Sequence, residues 1–240
     1  MTKGMKRLVS GVGLGLALIV GDASAQRPGL REVRDRGAAG LGALLALPIG
    51  EFKNFVDAGG GVDFFAVWNP IPERALGLRV DGSFLIYGSQ TQTVPLSPTV
   101  RRIDVDVSTT NAIASLYLGP QLTLGHGAVR PYAFGGLGVA YFFTESSVRG
   151  SSGLRDFAST TNFDDTALAL QSGGGLQIAL SRRRTTVLLD LSARFVRNGQ
   201  VSYLREGGIV EAADGSLIIT PIESQANLVV LQLGVTVGLR

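Results

Sequence analysis

Most of the chain alternates between apolar and small or polar residues with a period of two, the spacing that puts successive side chains on opposite faces of a β-strand. Between Leu76 and Tyr87, one face carries Leu76, Leu78, Val80, Phe84 and Ile86, and the other carries Gly77, Arg79, Asp81 and Ser83. Thr186 to Val196 repeats the pattern, setting Val187, Leu189, Leu191, Ala193 and Phe195 against Thr186, Asp190, Ser192 and Arg194. Toward the C-terminus Val229, Leu231, Leu233, Val235, Val237 and Leu239 oppose Gln232, Gly234, Thr236 and Gly238, and near the start Val62, Phe64, Ala66 and Trp68 oppose Gly61 and Asp63. Leu44, Ile113 and several glycines blur the phase elsewhere. No stretch shows a convincing helical period.

Eight segments of about ten residues follow from this pattern, the length at which a tilted strand crosses a bilayer. They are Ala39–Ile49, Gly59–Trp68, Leu76–Tyr87, Thr109–Gly119, Pro131–Phe143, Thr166–Leu180, Thr186–Val196 and Ala226–Leu239. Alternation alone fits either a soluble sheet with its apolar face inward or a membrane barrel with that face on lipid. Three features favour the barrel. The polar face is poor in Lys and Glu and rich in Gly, Ser, Thr and Gln, as a narrow interior requires. The links alternate, with 88–108, 144–165 and 197–225 long and 69–75, 120–130 and 181–185 short. Trp68, Tyr87, Tyr132, Tyr141, Phe142 and Phe143 lie near segment ends, where two interfacial girdles are expected. The predicted fold is all-β, an eight-stranded antiparallel up-and-down transmembrane barrel over residues 39–240, with both ends on the periplasmic side.

Composition sharpens this picture. The 240 residues are 45% hydrophobic and 17% charged, with 33 glycines and no cysteine. Disulfides, thiolate metal sites, a cysteine nucleophile and a lipoprotein anchor are thereby excluded. The first 25 residues read as an export signal: Lys3, Lys6 and Arg7 precede the apolar run Leu8 to Gly21, and Ala23-Ser24-Ala25 is a small-x-small cleavage site. Residues 26–38 follow as a polar, Arg-rich tail. Removing the signal takes away three cations and Asp22, so the formal charge of +3 falls by two to +1.

These features together resemble the small OmpA/OmpX-type outer-membrane β-barrel family, often labelled porin-like. The resemblance covers nearly the whole mature chain and rests on the signal with Ala23 and Ala25, the eight segments, the Gly-rich run Pro131 to Gly138 and the closing segment Leu228 to Leu239. It implies outer-membrane localisation, with lipid and barrel assembly machinery as partners; because the chain stops at the eighth segment, no attached peptidoglycan-binding domain is expected. Members typically end in an aromatic residue, whereas this chain ends in Leu239-Arg240.

No catalytic, metal or cofactor site is predicted. The single histidine, His126, lies between Gly125 and Gly127 in a link of turn composition, where it serves as a polar turn residue. The acidic pairs Asp164-Asp165 and Asp104 with Asp106 match no calcium-loop spacing. Gly173-Gly174-Gly175 lacks the Lys-Ser/Thr of a phosphate loop.

Asp63, Arg79, Asp81, Asp190 and Arg194 all fall on the polar face, so an internal charge network is expected. It would fill the lumen, or alternatively gate a narrow conduit for a small solute, an apolar one included. Arg74, Arg130, Arg182, Arg183 and Arg184 occupy the short links, suited to lipid headgroups on the periplasmic side, and no pattern for nucleic acid is present. The long links could contact an extracellular ligand or partner. In the last of them, Gly208–Val210 and Leu217–Thr220 have strand-like composition and are expected to form a hairpin. The leading role is therefore structural, adhesive or surface-interacting, without enzymatic activity.

Overall fold

The computed structural model of the chain describes residues 36–71, 75–95, 104–125, 127–150, 156–181, 185–211 and 217–239. The export segment 1–25 and residues 26–35 of the tail lie outside these residues, whereas Gly37 and Ala38, predicted as tail, already belong to the first barrel strand. The strands, in chain order, are β1 (Gly37–Pro48), β2 (Gly59–Trp68), β3 (Leu76–Pro95), β4 (Asp104–Thr123), β5 (Val129–Gly150), β6 (Asp156–Ser181) and β7 (Val187–Asn198). Four short strands follow: β8 (Gln200–Tyr203), β9 (Ile209–Glu211), β10 (Leu217–Ile219) and β11 (Ile222–Gln225). The last is β12 (Leu228–Leu239).

β1 to β7 and β12 close into an antiparallel barrel in which every stave pairs with its neighbours in the chain. β12 returns to β1 in unbroken register from Gly37↔Leu239 to Pro48↔Leu228. This is the eight-stranded up-and-down architecture that the alternation predicts, and closure gives every stave a partner on each side within the barrel wall. The short strands sit in the last link, where β8 pairs with β11 and β9 with β10. The second pairing is the hairpin expected there.

Four staves run further than the apolar alternation suggests. β3 stays paired with β4 from Gly88↔Asn111 to Pro95↔Asp104, and β5 with β6 from Thr144↔Phe163 to Arg149↔Asp156. Much of the links 88–108 and 144–165 is therefore strand. Apart from Val105 and Val107 in β4, these extensions are largely polar on both faces and carry no sustained apolar alternation, but Thr favours extended backbone and cross-strand polar pairs support the ladder. One such pair joins the Thr91 and Ser108 hydroxyls at 2.9 Å, and in another Thr93 Oγ1 donates to Asp106 Oδ1 at 2.7 Å. The link between β1 and β2 holds a short 3-10 turn, Phe52–Asn54.

Polarity is inverted relative to a water-soluble domain. Leu168 is 80% exposed, Leu137 67% and Leu41 65%, while Arg79 is 1% exposed and Asp63 and Asp190 are fully buried. Two glycines let consecutive aromatic rings lie flat against opposite sides of the wall. A β-carbon on Gly40 would collide with the Phe65 ring inside the barrel, and one on Gly82 with the Phe64 ring outside it. Glycine in a strand interior permits such close approach at the expense of intrinsic strand stability.

Candidate functional site

The lumen has two layers, and register determines what each contains. The polar layer occupies the half nearer the short links. Arg79 on β3 donates from Nε to Asp81 Oδ1 at 2.7 Å and from Nη1 to Gln121 Oε1 at 2.8 Å. Its guanidinium carbon lies 3.9 Å from the Phe65 ring centroid and 4.3 Å from that of Phe134, so the cation is held between two π faces. Gln171 on β6 donates to the other oxygen of Asp81 at 2.8 Å, which carries the network across the barrel. Arg194 on β7 donates from Nη2 to Asp63 Oδ1 at 2.7 Å, and its Nη1 lies 3.7 Å from Asp81 Oδ1.

Asp190 has no ion-pair partner among the described residues. Tyr132 donates to its Oδ1 at 2.6 Å, while Gln177 and Thr236 donate to Oδ2 at 2.9 and 3.0 Å. Hydrogen bonds to an ionised carboxylate are shorter and stronger than neutral ones, and three of them supply what a cation would otherwise supply. The structure thus gathers Asp63, Arg79, Asp81 and Arg194 into one connected cluster and sets Asp190 in a second. Gln121, Gln171, Gln177 and Thr236 complete these clusters and lie outside the set of site residues that the sequence predicts. Their signal is parity: each is a polar residue facing inward from its strand.

The apolar layer fills the half nearer the long links. Phe52, from the 3-10 turn after β1, is fully buried with its ring centroid 4.9 Å from Tyr203 and 5.6 Å from Tyr87, both edge-on. Phe142 packs beside them, 6.5 Å from Phe52. Tyr87 donates to the Leu204 carbonyl at 3.3 Å, and the Tyr203 and Ser224 hydroxyls are 2.9 Å apart, so both buried phenols are satisfied. Leu44 and Ile113, which blur the strand phase, point into this layer with Val196 and Leu228. They are apolar on the inward face because that half of the lumen is apolar. Between the layers lies a cavity of only about 10 Å³, bordered by Arg194, Tyr117 and Val230, room for about one water molecule.

The girdle assignment needs correction for three aromatics. Tyr87, Tyr132 and Phe142 are buried inside the barrel. Each lies near the end of a predicted segment, although Tyr87 and Phe142 are well inside β3 and β5, and face parity decides orientation: Tyr87 shares the face of Arg79 and Asp81, and Tyr132 that of Phe134 and Phe142. Trp68, Tyr141 and Phe143 are on the outer face, the latter two with stacked rings 5.3 Å apart. Trp68 is 60% exposed.

Of the basic link residues, Arg130 Nε donates to the Gly127 carbonyl at 3.4 Å. Arg74, Arg182, Arg183 and Arg184 lie outside the described residues, as does His126. Asp165 accepts backbone N–H groups from Thr166 and Ser202, each at 2.8 Å, which ties β6 to β8. No group of metal-ligating side chains occurs among the described residues.

No family model and no curated protein sequence matches the chain. Among solved structures it is similar to the outer membrane protein OprG from Pseudomonas aeruginosa, at 11% identity over 85% of this chain and 96% of that one, with a TM-score of 0.44. A major outer membrane protein from Thermus thermophilus is 15% identical over 83% and 98%, with a TM-score of 0.41. The attachment invasion locus protein Ail of Yersinia pestis, in complex with the heparin analogue sucrose octasulfate, is 13% identical over 84% and 96%, with a TM-score of 0.40. Likenesses of this degree transfer no activity to the chain.

Proposed function

We propose that the chain is an integral outer-membrane barrel with a structural, adhesive or surface-interacting role, exported by the signal at residues 1–25, and that its lumen is closed. The observation that carries this reading is the inverted polarity. Large aliphatic and aromatic side chains cover the outer wall, whereas arginines and aspartates are buried within. In water such a belt would be a far larger apolar patch than a soluble monomer exposes, while in lipid it costs nothing. From Leu76 to Ile86, at about 3.3 Å per residue and a tilt of about 40°, the belt rises about 25 Å, the height of the apolar band of outer-membrane barrels. No helix among the described residues is long and apolar enough to cross a membrane.

The extended β3–β6 sheet then projects outward and Trp68 faces the periplasmic leaflet, whose lipid headgroups are the proposed partners of Arg74, Arg130, Arg182, Arg183 and Arg184. Lipid and the barrel assembly machinery are the partners of this reading, with an extracellular ligand at the projecting end. A charge network fixed at both ends favours a filled interior over a conduit, because passage would require breaking buried ion pairs on both sides of the lumen. The proposed role is non-enzymatic. Extraction tests the placement: recovery with the membrane fraction, release only by detergent and heat-modifiable gel migration are expected, and a water-soluble monomer would overturn it. Planar-bilayer recording tests closure, and steady single-channel conductance by the intact protein would overturn that part.

A further inference from the structure

Above the Phe52 layer, the inward faces of the extended β3–β6 sheet and the Leu204–Ile209 segment of the last link enclose a partly open cavity of about 280 Å³. That volume is near the lower end for small-ligand pockets, enough for one or two sugar rings. The register shift between Ile86 and Gly88 makes Tyr87 the extra residue, so Gln90 and Gln92 share the inward face with Gly88.

The wall is neutral and rich in groups that both donate and accept. Part of it is already braced: Asn162 Nδ2 donates to Ser146 Oγ at 2.6 Å, Ser146 and Thr109 share a hydrogen bond at 2.9 Å, and Thr144 Oγ1 donates to Asn111 Oδ1 at 2.6 Å. These bonds hold the sheet side chains in place. Gln90, Gln92, Thr160 and Arg205 also line the cavity and make no side-chain hydrogen bond or ion pair among the described residues. The free capacity is thus two amides, a hydroxyl and one guanidinium, converging on one space. Val107, Leu204 and Ile209 supply apolar patches between them.

We infer that this cavity is a binding site for a saccharide unit bearing a carboxylate. Sugar hydroxyls donate and accept at once, matching amide and hydroxyl side chains, and the C–H faces of a ring suit small aliphatic patches. Among the described lining residues Arg205 is the only cation, and its planar fork binds a carboxylate through two parallel N–H bonds. Among the described lining residues there is no aromatic ring to stack on a nucleobase or a flat apolar ligand. The rings lie one layer deeper, beneath Leu204. This inference deepens the surface-interaction reading and rests on it.

The test titrates the full-length protein in detergent micelles with a disaccharide containing one uronic acid and with its neutral, carboxyl-reduced counterpart, read by calorimetry. The acidic probe is expected to bind about tenfold more tightly than the neutral one. Arg205→Gln should remove that difference and leave neutral binding unchanged, and the double change Gln90→Ala with Gln92→Ala should weaken both by about tenfold or more. Heat-modifiable migration of every sample, run in parallel, reports the barrel independently. A folded barrel that binds neither probe, or binds both equally with and without Gln90 and Gln92, overturns the site. Loss of the folded, detergent-dependent barrel in the unchanged protein would instead overturn the membrane reading.

Discussion

Arg194 on β7 and Asp63 on β2 meet in the lumen at 2.7 Å, although 131 positions separate them in the chain. β12 and β1 stand between their strands in the barrel, so this pair braces the wall where the chain's two ends are joined. Both side chains are all but inaccessible to solvent. Attraction between such groups offsets a large desolvation cost, and the geometry matters more than the presence of charge.

Removing one partner should therefore do more harm than removing both. Arg194→Met leaves Asp63 buried without its cation and is expected to lower stability by about 3–5 kcal/mol. Combining it with Asp63→Leu should restore much of the loss, since an apolar pair of similar volume carries no desolvation penalty. Urea unfolding in micelles, followed by tryptophan emission from Trp68, measures both. A double variant as unstable as the single would mean that the pair contributes packing and not charge balance.

A second prediction concerns the cation between Phe65 and Phe134. Arg79→Lys keeps the charge but cannot donate in one plane to Asp81 and Gln121 while covering two rings. A loss of about 1–3 kcal/mol is expected, from at least one charge-assisted hydrogen bond and the stacked contact. Unfolding under the same conditions reads it, and a lysine variant equal to the parent would assign the site to charge alone.

Strand faces were legible in the sequence because alternation is strict where one face meets apolar surroundings and the other a narrow interior. Parity alone places Asp63, Arg79, Asp81, Asp190 and Arg194 on a common side, though not which of them meet. That depends on strand stagger, which no single strand encodes. The extended halves of β3 to β6 were not legible, since Thr, Ser and Gln on both faces erase the period. Nor was Phe52: it is a lone aromatic in a short link, and its burial is determined by Tyr87, Tyr203 and Phe142, contributed by three other elements.

That aromatic is the natural target of a third prediction. Phe52→Ala removes a fully buried ring from a layer that has no neighbour able to collapse into its place without moving the last link. A cost of about 3–5 kcal/mol follows for a large-to-small change of this kind. The effect should be local first. Amides of β8 and β11, which cover the ring, should lose hydrogen-exchange protection, while those of the polar layer in β3 and β7 keep theirs. Uniform loss across all staves would show that the layer is integral to the barrel and not a separate lid.

The outer wall supplies the last prediction. Leu137 faces outward midway along β5, paired with Leu118 on one side and Leu170 on the other, all strongly exposed. In lipid this position lies near the bilayer midplane, where Leu137→Arg should cost about 2–4 kcal/mol and fall off toward either interface. Ser89→Arg, at an exposed position on the polar extension of β3 beyond the apolar belt, serves as its control and should change stability by less than about 0.5 kcal/mol. Folding each variant into vesicles and titrating with guanidinium chloride separates the two. If the surrounding medium is water, the difference vanishes, because an arginine in place of an exposed leucine is then harmless, so the depth dependence of the cost reports which solvent the wall faces.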